Sequence, residues 1–162
     1  MATYVATTGN DTTGDGTIGN PWRTVGKGID NLLAVGGFLY LRGGTYAENI
    51  INNFPVNGTA WGASTQITVS SYPGETATLK PDATSGGPFG GDDAVIRLDA
   101  DGSGPILGEK KYIEFVNLVL DGSTTVTAGR SVVQLGHKEN GVTVGAHHIR
   151  FTGCEAKGSR DG

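Results

Sequence analysis

Residues able to hold a ligand fall in a few short stretches of this chain. Asp99-Ala-Asp-Gly-Ser103 sets two carboxylates two residues apart beside a glycine, the oxygen-rich spacing of many Ca²⁺ loops. Asn10-Asp11 with Asp15 is a second such set. Asp99 and Asp101 are therefore the metal candidates, with Ca²⁺ as the cofactor. Neither loop carries the terminal bidentate Glu of a full ligand set, and Asp-Gly and Asn-Asp are also ordinary turn chemistry. His147-His148 offers two imidazoles, but neighbouring strand residues point to opposite faces, which argues against a shared metal. Trp61 lies in a loop and is the better platform for stacking a sugar; packing beneath its own loop is the competing reading. Trp22 is expected under a helix. Positive charge gathers at Arg130, His137 and Lys138, and again at Lys157 and Arg160 beside Asp161. A solvated turn is the plain alternative for both groups. Asn57-Gly-Thr59 matches the N-glycosylation pattern. The lone Cys154 excludes an internal disulfide and is expected as a buried thiol in a strand.

The elements that must position these groups repeat. Lys111-Tyr-Ile-Glu-Phe-Val-Asn-Leu-Val-Leu-Asp-Gly-Ser123 returns without a gap as His147-His-Ile-Arg-Phe-Thr-Gly-Cys-Glu-Ala-Lys-Gly-Ser159, an offset of 36. Ile113/Ile149, Phe115/Phe151, Gly122/Gly158 and Ser123/Ser159 coincide. Val95-Ile-Arg-Leu98 and Val132-Val-Gln-Leu135 precede the two copies at a spacing of 37. A period in this range signals a solenoid, in which each unit buries its apolar face against its neighbours. Ile67, Ile113 and Ile149 align as one column of rungs, and Phe38–Leu41, Val95–Leu98 and Val132–Leu135 as a second. Ile67-Thr-Val-Ser-Ser-Tyr72 alternates as a half-buried strand does and stops at Pro73-Gly74. Between Thr24 and about Ala34 the period changes: Val25, Ile29, Leu32 and Leu33 share one helical face, with Thr24 as N-cap and Gly36-Gly37 as the stop. Gly26 and Gly28 each weaken such a helix by about 1 kcal/mol relative to Ala, so packing must hold it. The expected fold is all-β: a parallel β-helix of about three coils, capped at its N-terminal end by this α-helix. Residues 1–162 read as one domain, with strand, loop and cap over 1–50 and coils over 51–162.

Composition agrees with that class. Glycine supplies 28 of the 162 residues, against an average usage of about 7%. There is no Gly-X-Y period, and aromatics at 7% and charges at 17% are sparse. Net charge is −4 without a basic stripe, which sets nucleic acid aside. No apolar run reaches the ~18 residues of a membrane span, and Met1-Ala-Thr runs into Tyr4-Val-Ala without a secretory signal. A flat Thr-x-Thr ice-binding ladder is excluded because the rungs carry Glu114, Asn117 and Arg150.

Tyr4-Val-Ala-Thr-Thr-Gly-Asn-Asp11, Gly16-Thr17, Asn20-Pro-Trp-Arg-Thr-Val25, Gly43-Gly-Thr-Tyr46 and Glu48, in this order, resemble the N-terminal module of the pectate lyase-like superfamily, including chondroitinase B-like proteins. Ile67-Thr-Val-Ser-Ser-Tyr-Pro-Gly74 is similar to the next part of that pattern. The resemblance covers residues 4–80, with 95–160 matching as generic coils. It implies a right-handed β-helix and a secreted or extracellular protein acting on uronic-acid polysaccharides by β-elimination. That reaction needs a base for the C5 proton and positive charge, often Ca²⁺, on the sugar carboxylate. No lyase signature is present, since the family's catalytic groups lie on later coils. Under the resemblance, Lys157 and Arg160 are the candidate bases, and Trp61, Arg130 and Lys138 the candidate substrate contacts. The chain is then expected to be the N-terminal part of a longer polysaccharide lyase, or of a glycoside hydrolase. The alternative is a non-catalytic adhesin, phage tailspike or fibre subunit associating end to end through its C-terminal coil.

Overall fold

The computed structural model describes residues 2–32, 36–51, 54–81, 94–98, 110–124, 132–135, 137–139, 142–144 and 146–158. Within them the order is β1 (Ala2–Val5), α1 (Val25–Asp30), β2 (Phe38–Leu41), β3 (Gly44–Tyr46), β4 (Ile50–Ile51), β5 (Ile67–Ser71), β6 (Ala77–Leu79) and β7 (Ile96–Leu98). Then follow β8 (Lys111–Val116), β9 (Leu118–Asp121), β10 (Val133–Leu135), β11 (His137–Glu139), β12 (Val142–Val144), β13 (His147–Thr152) and β14 (Glu155–Lys157). The fold is all-β, with almost no helix.

Three parallel sheets hold most of these strands: β1-β2-β5-β8-β13, β3-β6-β9-β14 and β4-β7-β10. The sheets do not curl into one closed barrel. From β2 onward the chain visits them in that order three times, then returns to the first two with β13 and β14. The antiparallel pair β11–β12 lies between the third pass and that return. In a parallel sheet neighbouring strands lie about 4.8 Å apart, so residues in register stack directly. Ile67, Ile113 and Ile149 form one such row, and Val69, Phe115 and Phe151 another. The Phe115 and Phe151 rings lie 5.1 Å apart and nearly parallel. The core runs between the sheets, with Leu39, Ile67, Leu79, Ile96, Ile113 and Phe115 fully buried.

The first predicted column is therefore present, but the second is wrong in one member. Phe38–Leu41 pairs with Thr68–Ser71 in the five-stranded sheet, and it is Ile50–Ile51 that stacks beneath Ile96–Arg97 and, beyond them, Val133–Leu135. Two residues carry too little periodicity to be recognised as a rung. The β5 strand is not half-buried either: Thr68, Ser70 and Ser71 are buried with its apolar residues, because strands flank it on both sides.

The helix is shorter than its pattern suggested. Thr24 is the N-cap, its hydroxyl accepting from the Lys27 N–H at 3.2 Å. The Glu48 carboxylate accepts from the Val25 and Gly26 N–H groups, each at 3.0 Å, so the first-turn donors of α1 are satisfied. Termination is local: the Asn31 side-chain amide donates to the Lys27 carbonyl at 2.8 Å, and the Leu32 N–H reaches Ile29 in a tighter turn. Leu33 lies outside the described residues. Val25, Ile29 and Leu32 are buried as expected. Gly28 lets α1 sit down on the strands, since a Cβ there would stand 2.5 Å from Val5 Cγ2 and 2.8 Å from Leu39 Cδ1. At the other end of the chain Gly158 turns with φ +75°, beside the backbone of Ser123.

Candidate functional site

Alternation along the five-stranded sheet sends Leu39, Ile67, Ile113 and Phe115 inward and a second set outward. Two outward rows follow from the register: Phe38, Thr68, Glu114 and Arg150 in one, Tyr4, Tyr40, Ser70, Val116 and Thr152 in the other. The β1–β2 end of this face is aromatic. Tyr4 stacks on Tyr40 at 5.5 Å, Tyr72 meets Tyr40 edge-on at 5.8 Å, and the Arg42 guanidinium lies 4.8 Å from the Tyr72 ring. Arg42 is forked onto Glu75, which holds the Glu75 carboxyl below the usual range through its hydrogen bonds to that guanidinium and to the Gly43 N–H.

The β8–β13 end is different. Trp61, in the turn before β5, meets Tyr112 edge-on at 5.5 Å, and the Arg150 guanidinium covers the Trp61 ring at 3.9 Å. Tyr112 in turn stacks on the His148 ring at 4.5 Å. Tyr112 and His148 both have positive φ, +52° and +55°, so each leaves the regular alternation of its strand. His147 and His148 consequently do not point to opposite faces: their ring centroids lie 4.6 Å apart and the two Nδ1 atoms face one another. This corrects the strand-alternation argument, which assumed an extended backbone that His148 does not have. Beside them Glu114 accepts from the Gln66 side chain at 2.6 Å and the Thr152 hydroxyl at 2.8 Å, with Arg150 at 3.6 Å.

Lys110, just before β8, is a basic residue that sequence reasoning missed. Its half-buried ammonium donates to the Phe54 carbonyl at 2.7 Å, and burial pushes its pKa down. Tyr112 and His148 did leave a signal, since they occupy the same place in the two copies of the repeat. Glu114 and Arg150 likewise coincide, as an opposite-charge pair.

The predicted residues are only partly gathered. Trp61 joins the cluster. Lys157 does not: it lies in β14 of the four-stranded sheet, half-exposed and 3.7 Å from Glu155. Lys138 lies in β11, opposite Thr143. Asp99, Asp101, Arg130 and Arg160 lie outside the described residues. Trp22 packs against the N-terminal loop, with Lys27 of α1 5.1 Å from its ring. Cys154 is half-buried in the turn between β13 and β14, not in a strand; burial raises its pKa. Asn57 accepts from the Lys111 N–H at 3.1 Å, so its side chain braces β8.

The N-terminal oxygen-rich loop is also engaged internally. Asn10 Oδ1 accepts from Thr12 and Thr13, Asp15 Oδ1 from Thr17, and Asp11 Oδ1 from the Arg23 and Thr24 N–H groups. Asp11 and Glu48 border an open cleft of about 370 Å³ with Thr7, Arg23, Thr45 and Tyr46; Glu48 is occupied at the first turn of α1, and Asp11 at the Arg23 and Thr24 N–H groups just before it. The Tyr46 hydroxyl donates to the Arg42 carbonyl at 2.7 Å, and burial, reinforced by Glu48, raises its pKa. Among the described residues no three His, Cys, Asp or Glu side chains converge as a metal set. No protein-family model, curated protein or solved structure matches this chain.

Proposed function

We propose that this chain is the N-terminal, capped portion of a right-handed parallel β-helix related to the pectate lyase-like superfamily, and that it binds acidic polysaccharide on the outer face of its five-stranded sheet. The repeated visit to three parallel sheets supports the β-helix reading, and the N-terminal motifs support the relationship and a secreted setting. The observation that carries the binding reading is the joining of Trp61, Tyr112 and Arg150 on one face. Aromatic rings stack on the apolar faces of sugars, and a guanidinium pairs with a uronate carboxylate. The exposed Thr152 adds a hydroxyl along the same face.

The test is titration with polygalacturonate, alginate and chondroitin sulfate, with dextran as the neutral control. Trp61→Ala and Arg150→Ala should each weaken binding to the acidic polymers by roughly tenfold, the value of one good contact of about 1.4 kcal/mol. Equal binding to dextran, or variants indistinguishable from the parent, would sink the reading.

Catalysis is a further part of this proposal. For β-elimination Lys110, with its lowered pKa, is a better base than the half-exposed Lys157. Ultraviolet absorbance of an unsaturated product, with and without Ca²⁺, is the measurement. Asp11, Asp15 and Asp121 are each held by backbone N–H groups, and Asp121 also by Lys80, while Asp99 and Asp101 lie outside the described residues.

One observation favours a structural role instead. Ile149 and Phe151 are incompletely covered, Leu135 is 44% exposed, and β13, β14 and β10 end their sheets among the described strands. Such edges can pair with another copy. Light scattering across concentration separates the readings: a strict monomer counts against end-to-end association.

A further inference from the structure

Two imidazoles held edge to face, with their Nδ1 atoms turned together, make a metal site of a kind the carboxylate loops do not. We infer that His147 and His148 form a two-nitrogen site for a borderline transition-metal cation, with Cu²⁺ bound most tightly. The Nδ1 atoms of the two rings face each other in direct contact. A small rotation of the two rings apart makes room for one cation, with each ring contributing a lone pair. Imidazole nitrogen suits Cu²⁺, Zn²⁺ and Ni²⁺, Cu²⁺ heads the affinity order, and hard Ca²⁺ and Mg²⁺ prefer oxygen.

The arrangement is built by the fold. Positive φ at His148 turns its ring back toward His147, and this is a backbone state that a non-glycine residue adopts at a cost. Tyr112 takes the same conformation one rung below and carries His148 on its ring face, with His147 at 6.3 Å edge-on. The His147 N–H is tied to the Lys110 carbonyl at 3.0 Å, which fixes the start of β13. Two protein donors leave open positions on the metal for water or an oxygen ligand. The site adjoins Tyr112 and Trp61 but does not depend on their binding a sugar.

Calorimetric titration of the intact chain with CuSO₄, ZnCl₂ and CaCl₂ tests this. Expected are one equivalent of Cu²⁺, weaker Zn²⁺ and no Ca²⁺ response. The Cu²⁺ paramagnetic resonance spectrum should show coupling to imidazole nitrogen. His147→Gln and His148→Asn should each weaken Cu²⁺ by at least about tenfold, the loss that even outer-shell partners of a metal produce. Asn at 148 tolerates the left-handed backbone, and circular dichroism confirms that both variants fold. His137→Gln should leave binding unchanged. The inference is overturned by no Cu²⁺ binding, by binding that both variants retain, or by loss on His137→Gln instead.

Discussion

The two copies of the repeat place the same Ile and Phe in the same register, and these side chains end in different environments. Ile113, Phe115, Leu118 and Leu120 in the first copy are essentially fully buried. In the second, Ile149 and Phe151 are half-buried and all of β14 is exposed. The first copy has a strand on each side, β5 and β13 around β8, whereas the described neighbours of β13 lie on one side only. Burial in a stacked fold thus belongs to the position in the stack more than to the motif. The N-terminal end makes the same point: β1 is also terminal in its sheet, yet Val5 is fully buried because α1 and the Trp22 segment cover it.

The sharpest way to break this comparison is to empty the same side chain in both copies. Phe115→Ala should cost about 3–5 kcal/mol in urea unfolding, as for a fully buried phenylalanine. Phe151→Ala should cost less than about 2 kcal/mol, because less of its area leaves water on folding. Equal losses would mean that the last rung is as well covered as the middle one.

A second pair of variants probes the covered end. Gly28→Ala should destabilise by about 1–3 kcal/mol despite the better helix propensity of Ala, because its methyl group would overpack Val5 and Leu39. Gly26→Ala meets only Glu48 Oε2, at 3.7 Å, and should stabilise by up to about 1 kcal/mol. Thermal melts that ranked the two the other way would place α1 differently on the strands.

The smallest expected effect is on pH. At Asp11, burial pushes the pKa up but is outweighed by hydrogen bonds from Thr24 and Arg23. At Asp15, hydrogen bonds from Thr17 lower it; at Asp121, hydrogen bonds from Ser123, supported by Lys80, do the same. With Glu75, these groups have folded pKa values below their unfolded ones. Their stabilisation is present above the ordinary carboxylate range, about pH 4, and is lost as pH falls through the folded values. Asp11, Asp15 and Glu75 belong to the N-terminal half, so acid should raise amide exchange there more than in β8. Asp11→Asn should flatten the acid limb of the melting curve, and an unchanged limb would remove Asp11 from this account.

Much of this was legible in the residues. The 36-residue offset placed β8 beside β13 in the right register, because identical apolar positions stack when parallel strands are aligned. Thr24 as N-cap and the apolar face of Val25, Ile29 and Leu32 were equally readable from spacing. Trp61 was readable as an aromatic outside the core pattern. The assignment of Phe38–Leu41 failed because alternation identifies a strand but not which of three sheets receives it. Successive rungs are also unequally spaced: Phe38 pairs with Thr68, but Ile67 pairs with Ile113. The histidine pair failed for a different reason, since nothing in a His-His dipeptide announces a positive φ at the second residue.

By itself, then, the order of the residues determined the β class, the stacking partners of the repeat and the capped helix, all of which rest on local periodicity and on matching side chains. Tertiary structure decided which copy's Ile and Phe are fully buried, and whether two adjacent imidazoles diverge or meet. Those outcomes depend on which neighbouring strands cover a residue, on Tyr112 lying under His148, and on Arg150 reaching back over Trp61. These contacts join parts of the chain far apart in sequence, and no local pattern encodes them.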